Sequence, residues 1–230
     1  MEEQQSYRIV TRIDRPAKDQ FCALHKTTTG NVCDAMGRLG AMDFTIKPLD
    51  SRMKCIGTAV TVITRPCDNL LVYKALDLAR PGDVIVVGTH GYTGSSVWGD
   101  ITSSIAQQKK LAGMVTDGLV RDTQGILETG FPVFARGTTP NSPFKDGPGQ
   151  INVPITCGGI RVDPGDVVVC DADGVVVIPQ NIIAEVVSRA LEIAAEDARK
   201  TDAVRAGNLI PQWVDQKLKK KGYSWQPYPE

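Results

Sequence analysis

Two acids and one arginine are spaced to do chemistry together. Asp100 closes a glycine-rich run that begins at Gly88, and twenty residues separate it from the pair Arg121-Asp122. A guanidinium holds a carboxylate or an enolate oxygen through paired N–H donors. A carboxylate beside it suits a hard divalent cation such as Mg²⁺ or Mn²⁺. The glycine-rich run adds a third tool. If a helix starts at Gly99, Asp100, Ile101 and Thr102, its free amides form an anion site. Each feature also has a plain reading. An Arg-Asp pair is often a surface salt bridge, and glycines often serve only a strand-to-helix turn. The run has neither Gly-x-Gly-x-x-Gly spacing nor a Walker lysine, so neither a nucleotide site nor a methyltransferase cofactor fingerprint is supported.

These residues must be positioned by alternating elements. Residues 18–27 and 30–40 read as short helices, the second ending near Gly40. Residues 57–64 alternate like a half-buried strand. Asp68-Asn69 are cap residues for a helix over 68–79. Pro81-Gly82-Asp83 is a turn into Val84–Val87, a buried strand, and Pro164-Gly165-Asp166 repeats that unit before Val167–Val169. Helices are expected over 100–111 and 122–129, with strands at 114–116 and 133–135. Asp171–Gly174 makes a hairpin turn into Val175–Ile178, and 180–201 is a long amphipathic helix. Helix and strand alternate first and strands dominate later, which predicts an α/β domain with layered mixed sheets.

Composition narrows the class. The 230 residues suffice for one large domain. Lys plus Arg and Asp plus Glu both number 26, which argues against nucleic acid as a partner. No apolar run approaches the roughly 20 residues of a membrane span. Met1–Gln5 is acidic and polar, unlike a signal peptide. The six cysteines include no Cys-x-x-Cys pair and the two histidines are far apart, so a zinc site is not expected. Scattered cysteines read as reduced thiols in a cytoplasmic protein. His90 is a secondary proton-shuttle candidate, Asp34 a packing or hydrogen-bonding residue, and Lys217–Lys221 a solvated helix end. The aromatics Tyr223, Trp225 and Tyr228 are expected to pack on the same subunit or a neighbour.

Asp100, twenty residues, then Arg121-Asp122 resembles the Asp-x20-Arg-Asp signature of the 4-hydroxy-4-methyl-2-oxoglutarate aldolase family, within the wider RraA-like group. The likeness extends to Val32–Gly37, Gly57-Thr58-Ala59, Asp68-Asn69, Pro81–Val84, Trp98-Gly99-Asp100, Gly130–Phe134 and Ala135-Arg136-Gly137. It implies a layered β/β/α, swivelling-type single domain over 1–230 with N-terminal and C-terminal helices. It implies trimers or hexamers built from trimers. It further implies a class II pyruvate aldolase acting on a 2-oxo acid, with oxaloacetate decarboxylation as a companion activity. Asp122 would bind the metal and Asp100 would hold its water shell. Arg121 would hold the substrate's oxygens, and the backbone of Gly99–Thr102 its carboxylate. An acid of the C-terminal helix, Glu196 or Asp197 with Glu192 as a further candidate, would reach a neighbouring subunit's site. No lysine stands in the cluster, so a Schiff base is not suggested. The segment Thr139–Ile151, rich in turn residues, would shape the outer pocket. The alternative is a non-enzymatic RraA-like regulator of ribonuclease activity that works by protein contact. Members of that kind lack the carboxylate after the arginine, and this chain keeps it.

Overall fold

The computed structural model describes residues 7–226, so Met1–Gln5 and Tyr228 lie outside the described residues. Its strands are β1 (Lys47–Pro48), β2 (Cys55–Thr64), β3 (Asp83–Gly88), β4 (Ser96–Trp98), β5 (Gly113–Thr116), β6 (Leu119–Val120) and β7 (Val133–Ala135). They continue as β8 (Gly137–Thr138), β9 (Gly149–Ile151), β10 (Ile155–Cys157), β11 (Ile160–Val162), β12 (Val167–Asp171) and β13 (Gly174–Ile178). The helices are α1 (Thr29–Ala35), α2 (Leu70–Leu78), α3 (Asp100–Gln108), α4 (Thr123–Thr129), α5 (Ile183–Arg205) and α6 (Trp213–Lys220).

A large mixed sheet runs β1-β7-β5-β3-β2-β12-β13, with β9 also pairing β2. Its centre, β2-β3-β5-β7, is parallel. The far edge of the long strand β2 is shared: β12 takes Cys55–Thr58 and β9 takes Val62–Thr64. A smaller parallel sheet, β4-β6-β8, forms a second layer. Three times the chain leaves a strand of the large sheet and enters one of the small sheet, as β3 to β4, β5 to β6 and β7 to β8. After the first two passages it turns into a helix, α3 and α4. This β/β/α repeat brings the ends of β4 and β6 side by side.

Strict alternation puts the core on both faces of the large sheet. Along β3, Ile85 and Val87 join one apolar cluster with Trp98, Ile126 and Phe131, while Val84 and Val86 join another with Phe134 and Val168. A third cluster packs Val169, Val176 and Ile178 beneath α1 and α5. The strand expected to be half-buried, at 57–64, is instead covered on both faces. Its threonines reach partners that periodicity does not reveal: Thr61 Oγ1 donates to Val153 O at 2.6 Å and Thr64 Oγ1 to Asp68 O at 3.0 Å.

Other expectations shift for local reasons. Residues 18–27 form two 3-10 turns, Lys18–Gln20 and Cys22–Lys26. The helix expected to reach Gly40 stops at Ala35, because Gly37 and Arg38 turn left-handed and Arg38 N closes on Cys33 O at 2.8 Å. Asp34 is not a packing residue: its side chain is exposed and only loosely paired with Arg38 at 4.0 Å. The hairpin at Asp171–Gly174 forms as expected, and Lys217–Lys221 is solvated. Tyr223 and Trp225 are exposed rather than packed on this chain. Among the described residues no helix is long and apolar enough to cross a membrane.

Candidate active site

The pairing of β4 with β6 sets Trp98 opposite Val120, and Arg121 N donates to Trp98 O at 3.0 Å. The residues that follow, Gly99-Asp100 and Arg121-Asp122, therefore leave the small sheet as neighbours. Each pair opens a helix. Asp122 does so in the left-handed region (φ 56°, ψ 42°), which aspartate tolerates better than most residues. The two helix starts interlock through glycines. A Cβ on Gly99 would lie 2.8 Å from Asp122 Oδ2, and one on Gly125 would lie 2.8 Å from Asp100 Cβ. The carboxylate of Asp122 thus rests over Gly99, and the side chain of Asp100 against α4.

Trp98 anchors the arrangement. It is buried, donates from Nε1 to Ser103 Oγ at 2.7 Å, and stacks on Phe131 with ring centroids 6.1 Å apart. Thr102 Oγ1 accepts from Gly99 N at 2.9 Å, fixing the first turn of α3. The first intrahelical bond there is Ser103 N to Gly99 O at 3.0 Å, so the amides of Asp100, Ile101 and Thr102 precede the helical ladder. Asp100 Oδ1 takes the Ile101 amide at 2.7 Å. The amides of Asp100 and Thr102 are the ones left for a ligand.

Arg121 is held at two points. Its Nε meets Asp122 Oδ2 at 3.0 Å, and Nη1 donates to Ser142 Oγ. With five N–H donors in a planar fork, it retains donors for an incoming anion. The side chains of Arg121 and Asp122 are 35% and 40% exposed, enough to meet a ligand without first breaking a core.

Arg121 and the start of α3 line one cavity of about 50 Å³, with walls that include Gly99, Asp100, Ile101, Thr102, Arg121 and Ser142, whereas Asp122 stands outside the wall, against Gly99 and Arg121. Larger hollows of about 400 and 490 Å³ lie elsewhere, the first beside the Asp50–Arg52 pair and the second beside His90. The first is lined by an acid and a base already bound to each other at 2.8 Å. Convergent chemistry, not size, marks the small cavity. His90 lies outside its wall. Among the described residues no three His, Cys, Asp or Glu side chains group as metal ligands. Asp100 and Asp122 offer two hard oxygen donors, a set that suits a small cation retaining most of its waters.

Sequence reasoning missed Asn69 and Tyr73 as pocket residues, and both share this wall. Ser142, Pro143 and Lys145 belong to the 139–151 segment expected to shape the pocket. Asn69 looked like a helix cap, and it occupies the cap position of α2 without a side-chain cap bond. Glu192, Glu196 and Asp197 sit on α5 away from this chain's cavity. Glu192 pairs with Arg189, Glu196 with Lys200, and Asp197 with Lys200 and the Asn31 amide of α1. The Glu196 carboxyl is drawn below its usual range by the Lys200 ammonium.

Comparison with known proteins places this architecture. Residues 29–177, which contain both helix starts of the cavity, match the RraA-like family described as Aldolase/RraA, and the chain belongs to that family. It is 41% identical over 173 residues to a Halalkalibacterium halodurans protein provisionally named 4-hydroxy-4-methyl-2-oxoglutarate aldolase, spanning 75% of this chain and 82% of that one. An uncharacterized protein from Pseudomonas syringae pv. tomato matches with a TM-score of 0.77 and 30% identity over 85% of this chain and 96% of that one. Streptomyces coelicolor RraAS2, described as an unusual member of the RNase ES inhibitor RraA protein family, matches at 0.75 and 29% identity over 83% and 99%. The layered β/β/α fold expected from the sequence is the fold of these structures.

Proposed function

We propose that the cavity cleaves the carbon–carbon bond of a 4-hydroxy-2-oxo acid to release pyruvate, with oxaloacetate decarboxylation as a second outlet of the same chemistry. The observation that carries this reading is the convergence of Arg121, Asp100 and the α3 amides on one small cavity, with Asp122 paired to Arg121 just outside its wall. The named substrate class follows the Halalkalibacterium relative: 4-hydroxy-4-methyl-2-oxoglutarate, 4-carboxy-4-hydroxy-2-oxoadipate or a similar branched acid.

Both reactions leave the enolate of pyruvate, whose charge must be stabilised as it forms. The Arg121 fork lies beside the substrate oxygen where that charge develops, worth about 10²–10³ in rate for one well-placed donor. The amides of Asp100 and Thr102 take the substrate carboxylate at the start of α3. Asp100 orients the water that takes up the proton of the C4 hydroxyl. Asp122 would hold a divalent cation, Mg²⁺ or Mn²⁺, with Asp100 supporting its water shell. Such an ion, when bound, supplies Lewis-acid stabilisation of the enolate. The salt bridge from Arg121 to Asp122 keeps the two functions in register.

An acid of α5 completes the site of a neighbouring subunit in a trimer, or in a hexamer built from trimers. Glu196, Asp197 and Glu192 are the candidates. The compartment that suits six free cysteines, with Cys55 and Cys170 opposite each other across β2 and β12, is the reducing cytoplasm.

The test is pyruvate release from oxaloacetate and from 4-hydroxy-4-methyl-2-oxoglutarate, with Mg²⁺ or Mn²⁺ and then with EDTA, in wild type and Asp122→Ala. Activity that needs metal and vanishes in the variant is expected. No release from either substrate by folded, metal-supplied protein overturns the reading. The likeness to RraAS2 then favours a ribonuclease-binding regulator, and direct binding to an RNA-degrading enzyme becomes the measurement.

A further inference from the structure

Five buried side-chain polar atoms among the described residues have no hydrogen-bond partner: Asn69 Oδ1, Ser95 Oγ, Arg136 Nε, Asn152 Oδ1 and Asp163 Oδ1. Of these residues, only Asn69 lines the cavity that holds Arg121 and Asp100. It is 5% exposed, so the orphaned acceptor gains little from bulk water. An unmet acceptor in a buried position is costly, and native proteins seldom keep one without a use.

The local geometry explains which way the amide points. The register of β4 against β6 shifts between Ser96 and Trp98, leaving Val97 as the irregular residue. Its carbonyl oxygen receives Asn69 Nδ2 at 3.4 Å. Turning the amide over would set oxygen against oxygen, so Nδ2 faces the strand and Oδ1 is the atom left over. Among the other polar groups of the wall, Arg121, Lys145 and the α3 amides are donors suited to the carboxylates and keto oxygen of a 2-oxo acid, while the Asp100 carboxylate is an acceptor already bonded to the Ile101 amide. What remains unmatched is an acceptor, and it calls for a ligand group that donates.

We propose that Asn69 Oδ1 accepts a hydrogen bond from the hydroxyl of the substrate and so selects hydroxylated acids over their unhydroxylated counterparts. This rests on the aldolase reading for the identity of the ligand and adds the residue that recognises it. A site built to bond a hydroxyl discriminates strongly against an analogue without one, because its own polar group is then left unmet.

The experiment uses two acids that differ only in the C4 hydroxyl and cannot be cleaved, since C2 is reduced: 2,4-dihydroxyglutarate and 2-hydroxyglutarate. Calorimetric titration of the full chain with Mg²⁺ is expected to show the dihydroxy acid binding about 10- to 100-fold tighter in wild type. Asn69→Leu should bind the two acids about equally, while Asn69→Asp, which keeps an acceptor at that place, should retain the preference at lower overall affinity for both. Thermal melts establish that each variant is folded, and Asn69→Ala replaces the leucine variant if that one is not. Equal binding by wild type, an undiminished preference in the folded leucine or alanine variant, or no binding of either acid overturns the proposal. The aldolase reading fails separately: a wild type that prefers the hydroxylated acid but releases no pyruvate keeps the acceptor and loses the chemistry. Conversely, pyruvate release without the preference keeps the chemistry and loses the acceptor.

Discussion

Strand β6 is two residues long, and an acid stands near each end of it. Asp117, before the strand, is 5% exposed and saturated. Its Oδ1 accepts from Thr89 N at 2.7 Å and Thr89 Oγ1 at 3.0 Å, and its Oδ2 from Gly91 N at 3.1 Å. Asp122, after the strand, is 40% exposed and meets Arg121 at one oxygen. The same residue type, five positions apart, does opposite work. Asp117 ties the β3–β4 loop to the end of β5, and every bond it makes is spent on the fold. Asp122 keeps lone pairs that its pairing with Arg121 leaves open. Saturation separates structural from functional acids more sharply than residue type does.

The comparison breaks most visibly at the functional end. Asp122→Asn keeps a residue that tolerates the left-handed backbone and removes the charge. We expect pyruvate release to fall about 10²–10³-fold with the melting temperature nearly unchanged. Arg121→Lys should lose about 10²-fold, since an ammonium cannot replace the fork that spans Asp122, Ser142 and the ligand. If either variant melts early and its loss follows the unfolded fraction, Asp122 and Arg121 belong with Asp117 as fold residues.

At the structural end, Asp117→Ala should cost about 2–4 kcal/mol of stability, because two amides and a hydroxyl lose a buried acceptor. Urea denaturation reads this directly. Activity per folded molecule should survive to the extent that the loop still holds. A midpoint that stays put would show that Thr89 and Gly91 find other partners, and the contrast between the two acids would dissolve.

How much of this was legible follows the same division. The spacing of Asp100, Arg121 and Asp122 was readable because both acids open helices behind very short strands, which fixes their offset along the chain. The strands Val84–Val87 and Val167–Val169 were readable from β-branched runs after Pro-Gly-Asp turns. The small sheet was not. Strands of two or three residues, such as Leu119–Val120 and Gly137–Thr138, carry no period to detect. Asn69 does stand at the cap of α2, but its side-chain partner is a strand carbonyl 28 positions away, a tertiary fact. The interlock of Gly99 with Asp122 and of Gly125 with Asp100 is equally silent in one dimension.

That interlock gives the next measurement. Gly99→Ala places a methyl where Asp122 Oδ2 now rests, at 2.8 Å. The carboxylate must swing away, and a displacement near 1 Å is expected to lower kcat/KM about 10- to 100-fold. Stability should change little, since Gly99 has extended backbone (φ −158°) and no left-handed strain is added. A variant with unchanged kinetics would mean that the position of Asp122 does not matter to turnover.

The smallest expected effect concerns α5, where the contrast recurs. Asp197 is tied to α1 through Asn31 at 3.0 Å, whereas Glu196 meets only Lys200. By the logic of saturation, we expect Glu196 to be the acid that serves a neighbouring subunit under the proposed function and Asp197 the one that belongs to the fold. The folded-state pKa of Glu196 is lowered by Lys200. Its contribution to stability is therefore present above the unfolded value and lost as pH falls through the folded one. The pair is fully exposed, so water and salt screen that contribution to near nothing. Glu196→Gln should leave thermal melts superimposable on wild type from neutral pH down through the carboxylate range. Activity should nevertheless drop about 10-fold, the usual loss when a supporting group of a metal site is removed. Mixing Glu196→Gln subunits with Asp122→Asn subunits should then raise activity above that of either variant alone, because some cavities pair an intact Asp122 with an intact Glu196 from the next chain. Mixtures no more active than the variants measured separately, after exchange of subunits has been verified, would place the missing acid elsewhere on the helix or within the same chain.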